Sequence, residues 1–157
     1  MPEGQRERLA SHLRTKFTNE MNYELRITNY ELKRKSVDVM GNVVEDKSYI
    51  FAVKVVKAVR RLKEETREYE LLSQLLRSGT SIGANVVEAK YAQSPRDYVS
   101  KFSIARKEAN EAKYWLRLLA DTEIVGKKEA ENMLNDVEEL LRIIVSIIKT
   151  VKERNNL

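Results

Sequence analysis

Residues 133–151 read MLNDVEELLRIIVSIIKTV and carry the clearest helical pattern in the chain. Apolar side chains recur there every three or four positions, at Met133, Leu134, Val137, Leu140, Leu141, Ile144, Ile147, Ile148 and Val151. This almost strict a/d spacing gives one helix face an apolar seam that packs against other helices. We therefore predict a long helix that begins after Gly126 and runs to about residue 151.

Three segments upstream show the same periodicity, over residues 47–65, 66–92 and 94–121. The connections between the predicted helices are short, so helices that follow one another along the chain should be antiparallel. We predict an all-α protein, an antiparallel up-down-up-down four-helix bundle with an N-terminal extension.

Two predicted helices have a recognisable start. Ser94, Pro95 and Asp97 combine a serine N-cap, a proline in the first turn and the acidic residue of a capping box. For the helix over 47–65, Asp46 or Ser48 can serve as the cap.

The helix over 66–92 contains two glycines, Gly79 and Gly83, four residues apart and therefore on one face. Each costs a helix about 1 kcal/mol relative to alanine, so a packing reason is needed. One interpretation is a break in the helix at Gly79. We favour close approach of a neighbouring helix, because Ile82, Val86 and Ala89 continue the apolar stripe in phase.

Residues 1–46 are predicted to form an N-terminal arm, and residues 47–157 the four-helix bundle. The arm contains a direct repeat, NYELRIT at 22–28 followed by NYELKRK at 29–35. Either this is a short helical arm, or it is a flexible segment produced by translation of a duplicated DNA stretch. In the second case Met40 could be the ancestral start.

Composition excludes several classes of site. The 157 residues include no cysteine and one histidine, His12, which rules out cysteine nucleophiles and the usual zinc and di-iron sites. No phosphate-binding glycine loop or hydrolase elbow is present. We therefore predict a protein that is not an enzyme and has no cofactor and no metal. No leader and no apolar run of about 18 residues is visible, so we expect a cytoplasmic protein without membrane contact.

The net charge of +5 lies entirely in residues 47–157. Residues 47–63 hold six cations and no acid. A solvated helix face would explain this, but such a stretch also suits phosphate. Our candidates for binding nucleic acid are Lys54, Lys57, Arg60, Arg61, Arg106, Lys113 and Arg117.

Polar side chains also share helix faces near the expected core. These candidates for an interface or polar network are Ser78, Gly79, Ser81, Gly83, Asn85, Glu88, Lys101, Glu108, Glu111 and Trp115. Glu88 or Glu111 could act as a general acid or base, but no nucleophile accompanies them, so we favour a role in helix register or subunit contact. Tyr114 and Trp115 could stack on bases, although the leucines after Trp115 favour an anchor.

Residues 74–89, QLLRSGTSIGANVVEA, together with Tyr98 and the Tyr114–Trp115 pair, carry a family resemblance. Over about residues 47–153 the chain resembles the bacterial four-helix-bundle proteins encoded in intervening sequences of 23S ribosomal RNA genes. The resemblance implies a ring-like homopentamer. A related branch, the accessory proteins of diversity-generating retroelements, comprises basic pentamers that bind nucleic acid and a reverse transcriptase.

We therefore expect a homo-oligomeric, nucleic-acid-associated scaffold that binds RNA or DNA through its basic helix faces. One alternative is a retroelement accessory protein that binds a reverse transcriptase. The other is a structural oligomer with a protein partner and no role on nucleic acid.

Overall fold

The computed structural model contains four α-helices within residues 3–157: α1 (Glu3–Glu65), α2 (Tyr69–Ala89), α3 (Pro95–Asp121) and α4 (Lys127–Asn155). The structure describes the backbone of residues 3–157 and the side chains of that range other than those of Glu3, Arg6, Leu9, Ala10, Tyr23, Ile27, Tyr30, Lys33 and Arg34. No strand occurs in this part of the chain. The chain divides into two compact units, Met1–Ser36 and Val37–Leu157.

Within Val37–Leu157 the helices form the predicted antiparallel up-down-up-down bundle. The connections between them are short, at residues 66–68, 90–94 and 122–126. The seam read from α4 faces the core, as expected from its a/d spacing. The largest side chains that are fully buried are Phe51, Phe102, Leu62, Leu72, Leu75, Ile82, Leu116, Leu119, Leu140, Ile144, Ile147 and Val44.

The start of α3 confirms the predicted capping box. Ser94 has an extended backbone, and its Oγ accepts a hydrogen bond from the backbone N–H of Asp97 at 3.1 Å. The carboxylate of Asp97 accepts in turn from the backbone N–H of Gln93 at 3.1 Å. Pro95 occupies the first turn, where its missing N–H costs no hydrogen bond. The helix therefore begins where the local sequence directs it.

The predicted start of the first helix was wrong. Neither Asp46 nor Ser48 caps it, since α1 is already helical from Glu3. Ser48 is fully buried inside the helix, and its Oγ donates to the carbonyl oxygen of Glu45 at 2.9 Å. The apolar stripe of α1 extends back through Val44 to Val37, and no proline interrupts it. Bundle packing therefore continues ten residues into the segment that we assigned to the arm.

In the unit Met1–Ser36 the seven-residue repeat lies within α1. Five large apolar side chains among those described in this unit are 47–64% exposed: Leu13, Phe17, Met21, Leu25 and Leu32. The N-terminal extension is helical, as the first of our two interpretations of the repeat requires.

The two glycines of α2 lie against α1, and the helix continues through both of them without a break. A Cβ atom built on Gly79 would lie 2.9 Å from Cγ2 of Val55, closer than real carbon atoms approach. The same construction on Gly83 gives 3.4 Å to Oγ of Ser48, an ordinary contact. Close helix approach at Gly79 is therefore confirmed.

This difference predicts opposite outcomes for two alanine substitutions. We expect Gly79→Ala to destabilise the bundle by about 1–2 kcal/mol, because the clash with the stiff, buried Val55 outweighs the gain in helix propensity. Gly83→Ala should be neutral or should stabilise by up to about 1 kcal/mol. Urea unfolding followed by circular dichroism measures both. Equal effects of the two substitutions would contradict this account of the packing.

Candidate nucleic-acid interface

A ladder of three ion pairs joins α1 to α4. Lys47 Nζ lies 3.0 Å from Glu139, Lys54 Nζ lies 2.6 Å from Asp136, and an Arg61 guanidinium nitrogen lies 2.7 Å from Glu129. The three cations are spaced by seven residues, so they share one face of α1. Their partners follow in descending order along α4, as antiparallel helices require.

The ladder engages two of the cations that we predicted to bind phosphate. Lys54 and Arg61 are not free cations, since each has a carboxylate partner. Arg61 also donates two hydrogen bonds to Glu65, at 2.9 and 3.0 Å. These bonds, followed by the charge of Glu129, raise the pKa of Arg61. Exposed pairs of this kind add little stability individually, and their carboxylates reduce the local positive potential.

Beside the ladder, α1 and the start of α4 enclose a cleft of about 1020 Å³, which we call the α1–α4 cleft. Three exposed lysines line it without forming an ion pair in the part of the chain that the structure describes: Lys57, Lys127 and Lys128. In all, five cations and two carboxylates line the cleft. It therefore has an excess of positive charge that the protein itself does not neutralise.

Neutral hydrogen-bonding groups complete the cleft. Asn132 and Asn135 line it from α4. Gly126, the N-cap of α4, offers no side-chain oxygen to the N–H groups of the first turn. The positive end of the helix dipole therefore adds to the potential that the lysines create.

Lys127 and Lys128 were missed by the sequence reasoning. They follow Gly126 and belong to the first turn of a helix that was assigned correctly. Antiparallel packing of α4 on α1 places that turn opposite the C-terminal half of α1. Combining the predicted topology with the basic stretch over 47–63 would have identified them.

The remaining predicted ligands lie in different places. Arg117 lines a shallow depression of about 420 Å³. Lys127 lines both this depression and the α1–α4 cleft, so the two adjoin. Arg60 and Arg106 are exposed and do not line the cleft. Lys113 is half-buried and lies 2.8 Å from Glu138, which lowers the pKa of that carboxyl group.

The polar stripe on α2 is satisfied largely within its own helix. Ser78 is fully buried, and its Oγ donates to the carbonyl oxygen of Gln74 at 2.9 Å. Asn85 donates from Nδ2 to the carbonyl oxygen of Ser81, also at 2.9 Å. Such bonds satisfy buried polar groups without specifying a partner helix.

An ion pair connects the polar side chains of α2 with those of α3. Lys101 Nζ lies 2.5 Å from Glu88, and this hydrogen bond raises the pKa of Lys101. Further along α3, Trp115 donates from Nε1 to Glu111 at 3.3 Å, while Glu108 is half-buried. The Lys101–Glu88 pair joins neighbouring helices, whereas the Trp115–Glu111 hydrogen bond lies within α3.

A second surface has the opposite character. Between α1 and α2 lies a groove of about 620 Å³, which we call the α1–α2 groove. Ser48, Ala52, Gly83 and Ala84 line it, and Tyr49, Ile50 and Val87 stand on it with 71%, 54% and 43% of their surface exposed. Small residues beside large exposed apolar side chains are typical of a protein–protein contact.

The described residues lack two other kinds of site. No group of three or more histidine, cysteine, aspartate or glutamate side chains among them is arranged to hold a metal ion. None of the helices, searched over the same residues, is long and apolar enough to cross a membrane.

Comparison with known proteins gives one family and a solved structure. The family model described as 23S rRNA-intervening sequence protein matches residues 40–146. A crystal structure of a protein of unknown function from the S23 ribosomal protein family, from Bacteroides thetaiotaomicron VPI-5482, is similar with a TM-score of 0.69 and 48% sequence identity. The similarity covers 70% of this chain and 98% of that one. No curated protein matches.

Proposed function

This chain belongs to the 23S rRNA-intervening sequence protein family, and we propose that it is a non-enzymatic, self-assembling scaffold that binds the phosphate backbone of nucleic acid. The observation that carries the proposal is the excess of unpaired lysines in the α1–α4 cleft. Lys57, Lys127 and Lys128 converge there from two helices. As part of the same proposal we place the protein in the bacterial cytoplasm.

The ion pairs support this assignment by contrast. Lys47, Lys54 and Arg61 already have carboxylate partners and contribute to the junction of α1 with α4. A lysine that makes no ion pair is free to replace condensed counterions on a phosphate chain. The ladder thus distinguishes cations that already have a carboxylate partner from cations that remain available to a ligand.

The neutral groups of the cleft are also suited to binding phosphate. The amides of Asn132 and Asn135 can donate to phosphate oxygens, and contacts of this kind position a backbone without reading its sequence. The family is named for an intervening sequence of 23S rRNA, so RNA is the first nucleic acid to test.

The experiment compares two triple variants that remove the same charge. Lys57→Gln/Lys127→Gln/Lys128→Gln alters the cleft, whereas Lys35→Gln/Lys149→Gln/Lys152→Gln alters exposed lysines that do not line it. Fluorescence anisotropy with labelled structured RNA and duplex DNA, over a range of salt concentrations, gives the affinities. We expect the cleft variant to bind about a hundredfold more weakly near 0.1 M salt, with a salt slope lower by about two.

Three results are decisive. The control variant should bind within about threefold of the native chain if the cleft carries the contacts. Identical salt curves for both variants would show that net charge, and not the cleft, is responsible. No binding by the native chain at low salt would remove the function altogether.

Self-association is the second part of the proposal, and the α1–α2 groove supports it. We propose a second copy of the chain as its occupant, and a homopentamer as the closed assembly. Asp46 is an exposed acid that lines the groove, and the chain carries a net charge of +5, so a further copy offers cations to this edge of the groove. A ring would also gather the clefts of several copies, which strengthens binding to one long polyanion.

Two alternatives differ in the partner. As an accessory protein of a diversity-generating retroelement, the chain would bind a reverse transcriptase as well as nucleic acid. As a structural oligomer it would bind a protein and no nucleic acid. The salt dependence separates the latter from our proposal, because a packed apolar contact weakens little as salt rises.

A further inference from the structure

The outward face of α3 carries an excess of positive charge. Between Tyr98 and Ala120, the charged side chains that are exposed are those of Arg106, Lys107 and Arg117, all of them cations. The glutamates of this stretch, Glu108 and Glu111, are only half-exposed. An exposed acid follows at Asp121, where the helix ends. This stretch of α3 is therefore a strip of positive potential with one negative boundary.

Tyr114 lies in this strip. Its side chain is 58% exposed. Helical spacing places Lys107 two turns before it and Arg117 one turn after it on the same face. One turn before it lie Asn110 and the half-exposed Glu111, whose carboxylate accepts a hydrogen bond from Trp115. Tyr49, which is more exposed, lies instead beside Glu45 and Asp46 in the α1–α2 groove. Tyr114 is thus an exposed aromatic ring with cations on both sides.

The ring of Trp115 restricts the orientation of the Tyr114 ring. It makes an edge contact with the ring of Trp115, with centroids 4.9 Å apart and planes at 76°. Trp115 packs against the core, and its Nε1–H is held by Glu111. A T-shaped contact covers at most one face of the tyrosine ring, so the other face remains open. The two aromatic residues therefore separate into an anchor, Trp115, and an exposed platform, Tyr114.

We propose that Tyr114 is a stacking platform for an unpaired base, and that the partner of this face is single-stranded RNA. The inference rests on the proposed function, which it narrows from nucleic acid in general to a strand with accessible bases. Lys107 and Arg117 are ten residues apart, about 15 Å along α3, which spans about four phosphates of a stacked strand. The base stacks on Tyr114 between them, as in proteins that combine a cationic track with aromatic rings.

The test uses the full chain with Tyr114→Leu, which removes the ring, and Tyr114→Phe, which keeps it. Tyr91→Leu is the matched control, since Tyr91 is 82% exposed and lies outside the strip. The probes are a labelled single-stranded oligoribonucleotide of mixed sequence and a blunt RNA duplex of the same length. We expect Tyr114→Leu to weaken binding of the single strand about tenfold and to leave duplex binding within twofold.

Two further results are expected. Tyr114→Phe and Tyr91→Leu should bind the single strand within about twofold of the native chain. The chain has one tryptophan, Trp115, so its fluorescence reports on the surroundings of this ring, which contacts Tyr114. The single strand should quench this fluorescence in the native chain, and less in Tyr114→Leu.

The outcomes separate this inference from the proposed function. If Tyr114→Leu weakens both RNAs equally or neither, while the cleft variant still loses affinity, stacking is wrong and phosphate binding remains. If the native chain binds neither RNA at low salt, both fail. Duplex binding that depends on Tyr114 would likewise overturn the stacking role.

Discussion

A chain that begins at Val37 is expected to keep the bundle, whereas one that begins at Lys47 is expected to lose at least about 3 kcal/mol of stability. The intervening residues contribute Val37 and Val44, exposed by 7% and 0%, to the core. Met40 packs against the same core, and Glu45 pairs with Lys90. Burial of a valine or methionine side chain is worth about 1.5–3 kcal/mol, so the loss exceeds what many small bundles can tolerate.

Urea unfolding of the two truncated chains, followed by circular dichroism, measures this difference. Val44→Ala in the full chain is the point variant that isolates one contribution, with an expected cost of about 2 kcal/mol. Val43→Ala is its control, because the neighbouring side chain is 38% exposed. Equal stability of the two truncated chains would show that residues 37–46 are not part of the folding unit.

Periodicity alone was enough to predict most of the fold. The seam over 133–151, the capping box at Ser94 and the glycine pair on α2 are local patterns, and each lies where the spacing predicted. The start of α1 was missed for a physical reason. Ser48 looks like a cap in sequence, but it is buried opposite Gly83, and only the folded bundle brings those two residues together.

The site was harder to predict because the role of a charged side chain depends on partners that are far away in the sequence. Lys54 and Lys57 lie three residues apart in the same basic stretch, and nothing in the local sequence distinguishes their roles. In the bundle both line the α1–α4 cleft, but Lys54 pairs with Asp136, whereas Lys57 forms no ion pair with the described residues. That distinction depends on contacts between helices that are far apart in the chain. Reversing the charge of Lys54 would therefore test the α1–α4 junction together with any ligand contact.

The same reasoning applies to the aromatic pair on α3. The leucines that follow Trp115 indicated an anchor, and Trp115 does pack against the core. Tyr114 is its immediate neighbour, but a helix turns about 100° per residue, so the two rings point in different directions. One residue thus supports the core while the next remains exposed.

The largest effect on assembly is expected from Ala84→Glu in the α1–α2 groove. Ala84 is exposed and lines this groove beside Gly83, so glutamate can be accommodated by the single copy. At a contact between copies it would bury an unpaired charge, which costs about 3–5 kcal/mol. Sedimentation should then show a native chain that self-associates and a variant whose dissociation constant is about a thousandfold higher.

Ser73→Glu is the matched control for Ala84→Glu. It adds the same negative charge to an exposed position of the same helix, and Ser73 does not line the groove. This variant should assemble like the native chain. At protein concentrations where Ala84→Glu is dissociated, its affinity for long RNA should fall although the α1–α4 cleft is intact, because a single copy, whose net charge the substitution lowers from +5 to +4, replaces several. A native chain that remains monomeric at high concentration would rule out self-association, and two variants that assemble alike would show that the groove is not the contact between copies.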